Sequence, residues 1–158
     1  MPSFTLEFPY RRSLGPVVGA FFTGLRDGKI LGSRTKSGRV LCPPLEYDPE
    51  TGESVEEGLV ELSDTGTVEL FTTVDEPLRK HPLQKPFVWA LVKIDGADTS
   101  IVHALDAPNV ENGMRVRVRW RAEREGKITD IECFERAGGS GGAGREAPGT
   151  PPIKRAET

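Results

Sequence analysis

Arg115-Val-Arg-Val-Arg-Trp-Arg121 decides the fold class. Arginine occupies 115, 117, 119 and 121, with Val116, Val118 and Trp120 between, a strict period of two. Such a period sets one row of side chains in water and the other in a core, the mark of a half-buried strand. Glu125-Gly126 then turns the chain into 127–135, where Ile128, Ile131, Cys133 and Phe134 supply apolar positions. Upstream, Phe87-Val-Trp-Ala-Leu-Val-Lys-Ile94 is apolar almost throughout and reads as a strand buried on both faces. Asp95-Gly96 is a tight-turn signal, and 99–105 pairs back as the next strand. Earlier still, 59–62 and 66–74 are β-rich, the latter alternating Val68, Leu70 and Thr72 against Thr67, Glu69 and Phe71. From 58 onward the chain is strands only. Short hairpins with one longer Pro-rich loop, 76–86, suit a small closed five-stranded barrel of the OB type. A plain antiparallel sandwich is the alternative.

N-terminal to these strands the period changes. Val17, Val18, Phe21, Phe22 and Leu25 recur at helical spacing across 14–26, with Ser13 placed to cap, Pro16 in the first turn and Gly28 to stop the helix. A short hairpin follows over 29–44, turning at Lys36-Ser37-Gly38 and ending at Pro43-Pro44, with a second turn at Tyr47-Asp-Pro-Glu-Thr-Gly52. The expected class is α+β, mainly β. The expected organisation is an N-terminal segment and helix (1–28), a ribbon-like hairpin (29–57), the barrel (58–137) and a tail (138–158). Gly138-Gly-Ser-Gly-Gly-Ala-Gly144 and the Pro-rich residues after it give that tail the composition of a disordered segment.

Composition narrows the function. The 158 residues carry a net charge of −3, without the basic excess that phosphate neutralisation favours in nucleic-acid binders. No stretch is long and apolar enough to span a membrane, and the first residues lack a basic region followed by an apolar core. Two cysteines, Cys42 and Cys133, read as free thiols, and the expected location is the cytoplasm. No phosphate-cradling Gly-rich loop, nucleophile elbow or metal-spaced histidine pair occurs, and no catalytic residue is assigned.

Two features are electropositive. The arginine row would repel itself unless acids answer it, and Asp130, Glu132 and Glu135 on the next strand, with Glu123 and Glu125 in the turn, are the expected partners. Unanswered, the row would make an anion-binding face, but its strand carries no interleaved aromatics on the arginine side. The Pro-rich loop gathers Arg79, Lys80, His81 and Lys85, the candidate contact for an anion or a partner.

The order of pieces is also specific. Phe21-Phe-Thr-Gly-Leu-Arg-Asp-Gly28 leads into Gly38-Arg-Val-Leu-Cys-Pro-Pro44, then Gly66-Thr-Val68, the Pro-rich loop and Pro86-Phe-Val-Trp-Ala-Leu-Val92. Over 14–136 the chain resembles a family that joins a rubredoxin-like zinc ribbon to an OB-fold and accompanies thiolase-fold, acyl-CoA-processing enzymes. The family's two Cys-x-x-Cys pairs fall here on Arg34, Ser37, Asp48 and Thr51, none a metal-binding cysteine. The resemblance therefore implies a degenerate ribbon without zinc, since a structural site needs four Cys or His ligands. It further implies a non-catalytic accessory subunit in lipid or steroid side-chain breakdown, helping form the CoA-binding channel. Its partner would be a thiolase or a thiolase-like aldolase, in a two-plus-two hetero-oligomer sharing acyl-CoA. The helix face Phe21, Phe22 and Leu25 is then the expected docking surface, with packing onto the chain's own barrel as the alternative. A single-strand-binding OB module and a free-standing acyl-CoA binder are the competing functions.

Overall fold

A computed structural model describes residues 13–55 and 58–138; the segment before 13 and the expected tail from 139 lie outside the described residues. Among the described residues one α-helix, α1 (Pro16–Arg26), precedes eight strands. Pro16 opens it, as the sequence suggests, but Gly15 rather than Ser13 is the capping residue and makes no side-chain cap. Instead the Glu46 carboxylate accepts from Val18 N at 3.4 Å, a cap supplied from 28 residues away.

β4 (Thr65–Val74), β5 (Phe87–Ile94), β6 (Ser100–Asp106), β7 (Arg115–Trp120) and β8 (Ile131–Arg136) close into a barrel in the order β4-β5-β6-β8-β7. Every pairing is antiparallel except β6 with β8. This closure removes the free edges that a sandwich would leave. The alternating residues point as the sequence requires: Val116 and Val118 are buried with Val92, Ile94, Ile101, Leu105, Ile131 and Phe134 in one core. Gly66 is obligatory in β4, because a Cβ there would lie 2.6 Å from the Lys93 carbonyl of β5.

One departure matters for function. The β4–β5 register shifts between Val68 and Leu70, so Val68 pairs with Val92 inside while Leu70 pairs with Leu91 outside. A bulge adds a residue and reverses the parity after it. The expected grouping of Val68, Leu70 and Thr72 on one face is thus broken: Val68 is 1% exposed and Leu70 60%.

β1 (Ile30–Arg34), β2 (Val40–Leu41) and β3 (Leu59–Leu62) form a separate sheet ordered β2-β1-β3. Residues 59–62, read from sequence as the start of the barrel region, therefore pair with β1 from Ile30↔Leu62 to Ser33↔Leu59. This ribbon is fastened to the β5–β6 turn. Asp98 Oδ2 accepts from Val40 N at 2.8 Å, and Thr99 Oγ1 accepts from Cys42 N at 2.7 Å and donates to its carbonyl at 3.0 Å.

Candidate partner interface on the barrel

The outer surface of β4, β5 and β6 carries an apolar row. Leu70 stands opposite Leu91, and Leu91 opposite Val102, so the three lie side by side across adjacent strands. Leu70 and Val102 are 60% and 61% exposed, and Leu91 is half-buried. The next row, Thr72, Trp89 and Ala104, continues it towards the Pro-rich loop. In strand order, β5 and β6 are the second and third of the barrel, the face on which OB-folds bind oligonucleotides. Here that face offers aliphatic groups in place of the stacking rings that single strands need.

Its two aromatics are covered by the chain itself. Leu83 packs over Phe87, Ala104 and Cys133, with Trp89 beside them. The His81 ring meets Phe87 and Trp89 edge-on, at centroid distances of 5.5 and 6.1 Å. His81 Nδ1 accepts from Leu78 N at 3.1 Å, and Gln84 Nε2 donates to the Leu78 and His81 carbonyls. The four basic candidates of this loop consequently part company. His81 is a packing residue, and Lys85 pairs with Asp106 at 2.9 Å. Arg79 and Lys80 are exposed and have no ion-pair partner among the described residues.

The arginine row is answered by acids, though not wholly by those expected. Arg117 pairs with Glu135 at 2.7 Å, and Arg119 is gripped by Glu132, Asp106 and Glu135 at 3.0, 3.1 and 3.5 Å. Arg115 reaches across to Asp95 with both terminal nitrogens and donates to Thr67 Oγ1 at 2.8 Å. The Arg115 and Thr65 donors hold the Asp95 carboxyl down at about 2. Asp95 and Asp106 were invisible as partners in sequence, because they meet the row only through barrel closure and the parallel β6–β8 pairing. Asp130, expected to face the row, instead turns inward: its carboxylate accepts from Glu125, Gly126 and Lys127 N at 3.1, 2.7 and 3.0 Å. Glu125 pairs with Lys127, not with an arginine. Glu123 has no ion-pair partner among the described residues, and neither does Arg121, which alone of the row is left open.

The expected helix docking face is largely internal. Phe21 and Leu25 are 3% and 0% exposed in the barrel core, so neither can meet a partner in this fold. Phe22 is half-buried and, with Leu14 and Ile128, lines a shallow apolar groove beside the β7–β8 turn.

At the four ribbon positions, side chains tie local turns. Arg34 Nη1 donates to the Gly38 carbonyl at 3.3 Å, and Ser37 and Thr35 hydroxyls share a hydrogen bond of 2.8 Å. Asp48, 2% exposed, accepts from Glu50 N at 2.8 Å, and Thr51 Oγ1 accepts from Glu53 N at 3.3 Å. Lys36–Glu53, at 2.6 Å, and Arg39–Glu50 then clamp the first turn to the second. Among the described residues no three His, Cys, Asp or Glu side chains converge as metal ligands.

Nor do the reactive residue types assemble. Burial pushes the Cys42 and Cys133 thiols up to about 12, the wrong direction for a thiolate nucleophile. His103 points into the barrel, 6% exposed against Phe134, with Nδ1 lacking any hydrogen-bond partner among the described residues. No helix among the described residues is long and apolar enough to cross a membrane.

Comparison with known proteins places this architecture. Residues 59–121 match the family model described as ChsH2, C-terminal OB-fold domain. A DUF35-family protein of unknown function from Sulfolobus solfataricus superposes with a TM-score of 0.61 at 21% identity, over 78% of this chain and 85% of its own. A chain of the Ltp2-ChsH2(DUF35) aldolase gives a TM-score of 0.58 at 23% identity, over 80% of this chain and 98% of its own. A comparison with curated sequences gave no significant match. Residues 59–121, most of the barrel, are thus similar to the C-terminal OB-fold domain of ChsH2, in a chain that shares the fold of the DUF35 proteins.

Proposed function

We propose that the chain is a non-catalytic accessory subunit of an aldolase or thiolase-fold acyl-CoA enzyme, docking through the outer face of its barrel. The observation that carries this reading is the Leu70–Leu91–Val102 row, aliphatic, with Leu70 and Val102 exposed on either side of half-buried Leu91, at the position where OB-folds take their ligands. The ChsH2-type barrel supports an aldolase as the partner class, because the similar solved chain comes from an Ltp2-ChsH2(DUF35) aldolase. The scattered histidines and the protonated, buried thiols agree with a subunit whose partner supplies the reacting groups. In the finer reading, Arg79 and Lys80 approach the CoA phosphates at the shared channel, while Lys85 and His81 are committed to holding the loop. The nucleic-acid reading loses its main support, since Arg115, Arg117 and Arg119 are already neutralised.

Affinity purification of the tagged chain from its native host, with intact-complex mass spectrometry, tests the proposal. Recovery of a thiolase-fold or aldolase subunit at fixed stoichiometry is the expected result. Turnover of an acyl-CoA substrate by this chain alone, or recovery of the lone chain, would overturn it.

A further inference from the structure

The end of the barrel where β4 and β6 finish and β5 and β7 begin holds a cavity of about 330 Å³. Phe71, Phe87, Val88 and Val110 give it apolar walls, and Asp75 and Asn109 are polar groups at its lining. That volume is at the bottom of the range for small-molecule sites, roughly 300–1,000 Å³, and is too small for a nucleotide-bearing cofactor.

The charges around it select the occupant. Asp75 is the one charged residue of the lining, and no lysine or arginine joins it. Of the cations around it, Lys85 and Arg119 bind Asp106, and Arg136 Nη2 donates to the Pro108 and Asn109 carbonyls at 3.3 Å each; Arg79 and Lys80 of the adjoining loop are unpaired among the described residues but do not line the cavity. Asp75 itself has no salt bridge or side-chain hydrogen bond among the described residues, unlike Asp95 and Asp106, which sit at the ends of neighbouring strands. Asp75 is exposed: an anion entering here would meet its carboxylate, and a purely apolar group filling the cavity would leave that carboxylate unpaired. An alkyl chain ending in a cation satisfies both parts. Phe71, 40% exposed, also presents a ring on which a guanidinium can stack.

We infer that the barrel mouth receives an arginine or lysine side chain of the partner subunit, with its stem on Phe71 and Val88 and its charge on Asp75. The source of that side chain rests on the accessory-subunit reading; the chemistry of the cavity does not. The contact lies at the barrel end, beside the outer row, and would fix the rotation of the partner on a surface that aliphatic packing alone leaves free to slide.

The test uses n-butylguanidinium on the full chain, followed by amide chemical shifts, with n-pentanoate as the control of opposite charge. The cation should shift the amides of Thr73, Asp75, Val88 and Val110 with a dissociation constant on the order of 10 mM. Asp75→Asn should weaken it roughly three- to fivefold, as for one exposed ion pair. Equal binding of pentanoate, absence of shifts at 50 mM probe (roughly five times the expected constant), or an unchanged constant in Asp75→Asn refutes the cavity assignment. Asp75→Arg should also lower affinity for the recovered partner at least tenfold, because it puts like charges together in a closed contact. Probe binding with unaltered partner affinity would instead assign the cavity to a free small cation and overturn the partner contact. Failure to recover any partner bears on the accessory reading alone, since the probe titration needs none.

Discussion

Asp130→Ala should be the most damaging single polar substitution in the β7–β8 turn, and its cost can be worked from the geometry. The carboxylate, 2% exposed, receives three backbone N–H groups, from Glu125, Gly126 and Lys127. Glu125 and Lys127 are themselves exposed, so water can reach part of the turn once the acceptor is gone, and a modest figure of about 1 kcal/mol per bond applies. The sum is about 3 kcal/mol. With an unfolding entropy near 2.1 cal/mol/K per residue over about 120 ordered residues, this lowers Tm by about 12 °C. The same turn supports the helix: Arg124 Nε donates to the Arg26 carbonyl at 2.9 Å, and Gly126 lies against the Phe22 backbone. Asp130→Asn is the discriminating partner variant. Its one remaining oxygen can take the place of Oδ2, which accepts two of the three bonds, so about two-thirds of the stabilisation should be retained and the Tm loss should be about one-third of that in Asp130→Ala. Acid supplies a second readout. Burial alone would raise the Asp130 pKa, but the three N–H donors and the nearby Arg124 charge together hold it below the usual value. Its contribution is therefore full above the ordinary carboxylate pKa near 3.9 and lost as pH falls through the lower folded value. The gap between wild type and Asp130→Ala, measured by urea unfolding, should accordingly narrow in acid. A Tm shift under about 3 °C, the loss expected from less than one bond, would refute the assignment of three working hydrogen bonds.

Other substitutions separate surface from scaffold. Val102→Asp, on a side chain 61% exposed, should leave unfolding free energy within about 0.5 kcal/mol while abolishing co-purification of the partner, because the proposed docking would bury the row only in the complex. His103 is buried and its pKa is pushed down by desolvation. Stability should thus fall as pH drops below about 6.5, by at most about 1.4 kcal/mol per unit, where the unfolded chain takes up a proton that the folded barrel refuses. His103→Phe should flatten that part of the pH profile. Asp48→Ala, at the one buried position of an otherwise exposed turn, removes the acceptor for Glu50 N and should cost about 1 kcal/mol, with faster amide exchange at 48–53. A strong chelator should leave Tm unchanged in this variant and in the wild type, since hydrogen bonds and the Lys36–Glu53 and Arg39–Glu50 pairs tie the ribbon turns.

Period and punctuation alone determined much of this protein. The strict alternation of 115–121 and the apolar run 87–94 specify strands whatever surrounds them, because side-chain direction follows from backbone geometry. The helical spacing of Val17, Phe21 and Leu25 likewise specifies an apolar stripe. What that stripe meets was not local information: in the chain it could equally have faced a partner, and only the fold shows Phe21 and Leu25 packed into the barrel core. The bulge at Val68/Leu70 was hidden for a related reason. One extra residue reverses every later side chain without altering the residue types, so the exposed row of Leu70, Leu91 and Val102 exists only once three strands are in register. Ion pairs show the same division. Sequence located the arginines and two of their acids, whereas Asp95 and Asp106 reached them through barrel closure, and Asp130 was drawn inward by unsatisfied turn amides. Local propensity reads along the chain; charge pairing and surface apolarity depend on which distant residues arrive beside each other, and those were decided by the tertiary structure.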